Sequence, residues 1–186
     1  MTPARFSLAS RILHWTMAPL LLAMLLIGPG MVATLSHWRI TLLAVHKPLG
    51  LALLVLAVLR LVLRLAGKTP PLPATLPPAL RLAAHASHWL LYGCMLAMPL
   101  IGWAMLSAGG FPLPLHLPPL LVPNVDRYVL LRSLHTALGA LFYLTVIAHI
   151  LAGLLHALLL RDGVFTAISL ARSRPAPLPK VDQVSR

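Results

Sequence analysis

Apolar residues fill four long blocks of this chain, and polar residues are confined to the short segments between them. The blocks run from about Ile12 to Ala33, Val45 to Leu65, Leu82 to Leu106 and Ser133 to Leu160. Each is long enough, at about 1.5 Å per residue, to cross a hydrocarbon layer roughly 30 Å thick. The pattern therefore predicts four membrane-spanning helices. Between the first two lies LSHWRITLLA, predicted to include an interfacial segment with Trp38 at headgroup level. The next connector, GKTPPLPATLPPALR, carries five prolines and cannot continue a helix. Pro99 falls inside the third block and predicts a kink. Residues Ser107 to Asp126 are rich in Gly and Pro and predict an ordered but irregular loop. Arg161, Asp162 and Gly163 stop the fourth block, and the tail from Ser173 has no apolar periodicity, which predicts disorder. The organisation expected is one all-α, integral-membrane, up-down four-helix bundle over residues 1–165, followed by a disordered tail over 173–186.

Composition sharpens this. The chain is 59% hydrophobic and has three acidic side chains, none of them glutamate, so an ordinary soluble surface is excluded. A net charge of +12 in a soluble protein would suggest nucleic-acid binding. Here the basic residues sit in short segments between apolar runs, so membrane topology accounts for them and no nucleic-acid partner is expected. With the N-terminus inside, Arg5, Arg11, Arg60, Arg64, Lys68, Arg81, Arg161, Arg172, Arg174, Lys180 and Arg186 fall on the inner side. Only Arg39, Lys47, Arg127 and Arg132 fall outside. Eleven against four predicts that both termini are cytoplasmic. The N-terminal MTPARFSLASR precedes an apolar run too long for a signal peptide and without a convincing A-x-A site, so it reads as a retained first span. Cys94 is the only cysteine, which excludes an intrachain disulfide, a cysteine metal cluster and a C-x-x-C-H haem attachment.

The chemistry lies in the histidines. Ionisable groups inside spans are costly, and nine histidines is a high count for a chain of this size. His135 and His149 lie 14 residues apart in the uncharged run Ser133–Leu160, on one helix face about 21 Å apart. His14 and His149 fall near the inner ends of the first and fourth spans. His46 and His135 fall at the outer starts of the second and fourth. Two pairs at two depths result. Each member is followed at i+4, on the same face, by a small residue: Ala18, Gly50, Gly139 and Gly153. A planar group can lie against such bare backbone. By contrast, His85, His88 and His156 are followed by Trp89, Tyr92 and Leu160. The plain alternative is that each histidine bridges helices by hydrogen bonding, and that the glycines serve only packing. A zinc site would gather its ligands at one point, whereas paired imidazoles without cysteine or buried acid suit haem iron. Two haem b groups, each held non-covalently by two histidines, would form a relay across the membrane. Lys47 and Arg132 outside, and Arg11 and Arg64 inside, stand at the right levels to neutralise propionates or to anchor the helices.

The sequence resembles the bacterial di-haem cytochrome b561 family of quinone-linked, four-helix cytochromes. The resemblance rests on SRILHW opening the first span, VHKPLG opening the second and VLRLVLRL closing it. It continues through the Pro-Pro connector, AHASHWLLYGCMLAMPLIGW, LHTALG and AHILAG, and covers about residues 5 to 165. It implies His14 with His149 for an inner haem and His46 with His135 for an outer one, the pairing reached from depth. It also implies a place in the inner membrane, ubiquinone or ubiquinol as one redox partner and, in some members, superoxide oxidation at the outer face. A basic outer rim of Arg39, Lys47, Arg127 and Arg132 would attract a small anion. A quinone headgroup needs hydrogen-bond donors and a proton path, and His85, His88 and His156, with Arg81, are the candidates near the inner haem. Inter-helix or propionate hydrogen bonds are the competing assignment for them. His37 and His116 fall in outer loops, and Cys94, Met95 and Met98 read as packing residues. The rival readings are a haem-bearing membrane anchor taking electrons from a dehydrogenase or hydrogenase, and a cofactor-free packing or transport protein.

Overall fold

The computed structural model describes residues 5–67, 69–73 and 76–171, so the tail expected at 173–186 lies outside the described residues. Four long helices cross the molecule: α1 Leu8–Ala33, α2 Trp38–Ala66, α3 Pro78–Ala108 and α4 Val125–Leu154. A π-helical turn, Leu155–Leu160, ends α4, and a short helix α5, Val164–Ile168, follows. The described residues contain no strand.

The long helices run to 26, 29, 31 and 30 residues, further than the apolar blocks alone predict. At about 1.5 Å per residue they exceed a hydrocarbon layer of roughly 30 Å, so their end turns reach the headgroup zone. Capping residues, not the edge of the apolar block, set where α1 and α4 begin. Ser7 Oγ accepts a hydrogen bond from the Ser10 amide at 3.2 Å ahead of α1, and Asn124 Oδ1 accepts from the Arg127 amide at 2.9 Å ahead of α4. Pro78 occupies the first turn of α3, where its missing N–H leaves no gap in the ladder. Trp38, expected in an interfacial loop segment, instead opens α2.

Consecutive helices pack side by side, α1 on α2, α2 on α3 and α3 on α4, giving an up-down bundle. One end carries the start of α1 and the end of α4 (the terminal end); the other carries the connection between α3 and α4 (the loop end). α4 packs its backbone on α3 and stands off α1 and α2. At mid-depth Cys94, Phe142 and Val146 form the buried core, flanked by Leu21, Leu25, Leu91, Met95, Met98 and Leu138. Large apolar side chains such as Leu26, Val32, Val62, Leu144 and Leu151 point outward, as lipid-facing surfaces require.

Both ends are pinned by side-chain to backbone hydrogen bonds. At the loop end, Ser107 Oγ donates to the Trp103 carbonyl at 2.9 Å and accepts from the Leu120 amide at 3.1 Å. Trp103 Nε1 donates to the Pro118 carbonyl and Lys47 Nζ to the Pro112 carbonyl, each at 3.1 Å. The Pro-rich loop is thereby held across the ends of α2 and α3. At the terminal end, the Phe6 amide donates to the Ala167 carbonyl at 3.1 Å, Arg11 to Ser169 at 2.9 Å and Trp15 Nε1 to Ile168 at 3.0 Å. These bonds strap α5, which hydropathy alone does not predict, under α1.

Candidate functional site

Where the backbone of α4 stands away from α1 and α2, imidazoles span the gap. At the terminal end the ring centres of His14 (α1) and His149 (α4) lie 6.5 Å apart, with planes at 77°. At the loop end those of His46 (α2) and His135 (α4) lie 6.3 Å apart, at 70°. Metal–imidazole bonds of about 2 Å, plus roughly 1.1 Å from ring centre to nitrogen, put rings that flank one metal about 6 Å apart. Both pairs therefore stand at a separation that would let two imidazoles hold one metal.

The surroundings differ at the two levels. At the loop end a cavity runs beside the rings, lined by His46, His135, Lys47, Gly50, Gly102 and Trp103 among others. Nδ1 of His46 is buried without a hydrogen-bond partner, while the His135 ring lies against the Met98 backbone of α3. A methyl placed on Gly50 would meet only the end of Met24 at 3.5 Å, and one on Gly139 only the end of Met98 at 3.5 Å. Next to Gly153, at the terminal level, nothing lies within 4 Å. Gly102 of α3 is tighter: a methyl there would sit 3.3 Å from Cε1 of His135 and 3.7 Å from its Nδ1.

Around the terminal pair, positive charge gathers without a carboxylate. Arg60 donates to the Ser10 carbonyl at 3.4 Å, and its charge acts on both His14 and His149. Arg64 lies 6.0 Å from the centre of the Tyr92 ring. Among the described residues the acids are Asp126, at the loop end, and Asp162, which is taken by His156. A half-buried cationic cluster of this kind favours an anionic group between its members.

The remaining candidates separate. His88 joins the terminal pair, its ring centre 5.6 Å from that of His149. His85, one turn earlier, is exposed. Arg81 reaches the Leu76 carbonyl at 3.2 Å, at the start of α3. His156 sits in the π turn with its Nδ1 2.6 Å from Asp162 Oδ2. Of the basic residues expected on the outer side, Arg39, Arg127 and Arg132 are exposed and Lys47 is tied to the loop. Hydropathy and histidine spacing overlook Gly102 and Asp162 as site residues. The signals were thin: a glycine three residues after Pro99, and an acid six residues after a histidine in a chain with very few acids.

The sequence profile described as "Prokaryotic cytochrome b561" matches residues 5–169. The chain belongs to the prokaryotic cytochrome b561 family. Membership gives it b-type haem binding and electron transfer in the membrane. Among relatives, the "Probable superoxide oxidase CybB" of Yersinia pestis is 33% identical over 122 residues, 64% of this chain and 69% of that protein. "Cytochrome b561 homolog 2" of Escherichia coli (strain K12) is 34% identical over 116 residues, 60% of this chain and 61% of that protein. "Cytochrome b561 homolog 1" of the same organism is 29% identical over 122 residues, covering 63% and 69%. For this cytochrome b561 family chain, four apolar helices of spanning length accord with a multi-pass inner-membrane protein.

Proposed function

We propose that this cytochrome b561 carries two haem b groups, one between His14 and His149 and one between His46 and His135, and moves electrons between an outer donor and ubiquinone. The observation that carries this reading is the pair of imidazole couples, 6.5 and 6.3 Å between ring centres, with α4 supplying one member of each. The residues present fit the group. The unpaired Nδ1 of His46, the open backbone at Gly153, the flexible methionine ends beside Gly50 and Gly139, and the Arg60–Arg64 charge without an acid all agree with a planar group bearing propionates.

When bound, haem would supply one-electron exchange, and His14 with His149 and His46 with His135 would be the residues that hold it. The protein does the rest. Apolar core residues at mid-depth keep water out between the two levels. Arg60 and Arg64 balance propionate charge at the terminal end, and Lys47 stands beside the loop-end cavity. His88, against His149, is placed to hydrogen-bond a propionate or a quinone headgroup. His85 and Arg81 lie at the same end and complete the candidate quinone region. The excess of arginine and lysine near that end gives it the cytoplasmic side, with both chain termini.

The name of the Yersinia relative supports superoxide as the donor at the opposite face, where Arg39, Arg127 and Arg132 present positive charge to a small anion. The test uses the purified full chain in lipid vesicles containing ubiquinone. Superoxide generated outside is expected to reduce the b-type absorbance bands transiently, with ubiquinol accumulating. Bands that reduce and never reoxidise with quinone would contradict the quinone role. Copurification with a flavin or iron–sulfur subunit would then favour an anchor role.

A further inference from the structure

Two arginines on one helical face repel each other, and at the terminal end a tyrosine holds such a pair together. Arg60 and Arg64 lie four residues apart in α2, so their side chains leave the same face. Both are half-buried. Among the described residues the acid at this end, Asp162, is held by His156, so it does not balance them. Tyr92 of α3 stands against both arginines. It is 6% exposed, its side chain hydrogen-bonds that of Arg60, and its ring centre lies 6.0 Å from the Arg64 guanidinium carbon. At that separation the face of an aromatic ring attracts a guanidinium. The phenol oxygen therefore takes one arginine and the ring takes the other.

The bond between Tyr92 and Arg60 can run in one sense only. A guanidinium carries donors and no acceptor, so the phenol oxygen accepts and its O–H hydrogen is left for another partner. The neighbouring contacts place that hydrogen at the level of the terminal pair. Arg60 also donates to the Ser10 carbonyl at 3.4 Å, one turn before His14 on α1. Tyr92 follows His88 by one turn on the same face of α3, and the His88 ring lies 5.6 Å from that of His149. Three helices thus bring two guanidiniums and a hydroxyl donor to one place. Such a donor set suits a carboxylate, which accepts from several charged and neutral donors at once.

We propose that Tyr92 is a positioning residue that holds Arg60 and Arg64 as one carboxylate clamp and gives its own O–H to the carboxylate edge of the group held by His14 and His149. The proposal rests on the haem reading above, in which that carboxylate is a propionate. The clamp has an electrostatic consequence. Positive charge and hydrogen bonds at a propionate offset its negative charge near the iron and so favour the reduced state. Without the phenol oxygen, Arg60 loses its tether on α3 and is free to swing toward the headgroup zone, and the O–H donor is gone. Both changes favour the oxidised state.

The test uses the purified, haem-loaded full chain and compares wild type with Tyr92→Phe, Arg60→Met, the double variant and Tyr143→Phe. Phenylalanine keeps the ring beside Arg64 and removes only the oxygen, so helical content and haem content should stay as in wild type. Tyr143, 38% exposed on α4, is the control. In Tyr92→Phe the reduction equilibrium of the terminal-end group is expected to move about threefold to tenfold toward the oxidised form, or roughly 30–60 mV for one electron. The loop-end midpoint should not move. The double variant should shift by less than the sum of the two single shifts, as residues of one hydrogen-bonded network do. Independently of the potential, the redox-difference infrared spectrum of protein with isotope-labelled tyrosine should show a neutral phenol that responds to reduction of the terminal-end group. That signal should vanish in Tyr92→Phe and persist in Tyr143→Phe. A wild-type midpoint in Tyr92→Phe, additive shifts in the double variant, or a phenolate signal in place of the phenol would each overturn the proposal. So would a loss of thermal stability with no change in midpoint or infrared signal, which marks Tyr92 as packing only. A wild-type chain that holds no haem at His14 and His149 would overturn the haem reading itself, whereas a loaded protein with an unmoved midpoint overturns the role of Tyr92 alone.

Discussion

Gly102 offers a test in which the crowding can be read directly from the structure. A methyl at that position would lie 3.3 Å from Cε1 of His135. Carbon atoms rest most favourably at about 3.5–4.0 Å, so the ring must retreat by roughly 0.2–0.7 Å or lose its orientation. Overpacking of this kind typically costs about 1–3 kcal/mol. In Gly102→Ala the lower figure applies, and it is opposed by about 1 kcal/mol of helix propensity gained on replacing glycine. The fold should therefore keep its thermal stability, while the strain falls on the His135 ring. About 1 kcal/mol weakens the haem at His46–His135 roughly fivefold, and the upper figure, expected for Gly102→Val, weakens it more than a hundredfold. The assay is haem retention with a redox titration of the purified variants. Gly102→Val should keep one haem, with the spectrum and midpoint of the terminal-end group unchanged. The matched control is Gly28→Ala, where the added methyl meets nothing within 4 Å; it should keep both. A Gly102→Val protein that holds two haems with unaltered midpoints would refute the reasoning.

Other outcomes follow from the same geometry. Arg60→Met removes a positive charge that favours the reduced, less positive iron, so the terminal-end midpoint should fall. At about 10 Å and an effective dielectric near 20 the loss is about 1.7 kcal/mol, or roughly 70 mV, and a potentiometric titration reads it. Ser107→Ala leaves the Leu120 amide and the loop pinning without their partner, a loss of about 1–3 kcal/mol, seen as faster proteolysis within residues 109–124 at unchanged helical content. A phosphatase fused after Arg186 should be inactive and a fluorescent protein there bright in intact cells, the outcome that the proposed cytoplasmic side of that end requires.

Much of the fold was legible because a bilayer constrains it so strongly. Four long apolar runs, with charge only toward the ends of the second, leave no alternative to spanning helices, since backbone polar groups in hydrocarbon must be satisfied within each segment. The loop-end boundary of α4 was less legible, because it depends on the Asn124 cap and not on hydropathy. Histidine spacing placed His14 near His149 and His46 near His135 in register, since depth along a helix follows from residue count alone. What count cannot give is the lateral relation between helices. That His88 rather than His85 reaches His149, and that Gly102 of α3 presses on His135, depends on the rotation of α3 in the bundle. Likewise the π turn and the return of Asp162 onto His156 arise from left-handed backbone at Arg161 and Gly163, where the sequence offers only a stop signal.

The pairing of the four histidines is tested most directly by counting haems in single variants. Each of His14→Ala, His149→Ala, His46→Ala and His135→Ala would be purified, checked for helical content by circular dichroism, and assayed for haem per chain and midpoint potential. The account predicts two haems in wild type and one in every variant. His14→Ala and His149→Ala should retain the same survivor, and His46→Ala and His135→Ala the other. Folded variants that keep two haems, or partners that retain different survivors, would contradict it.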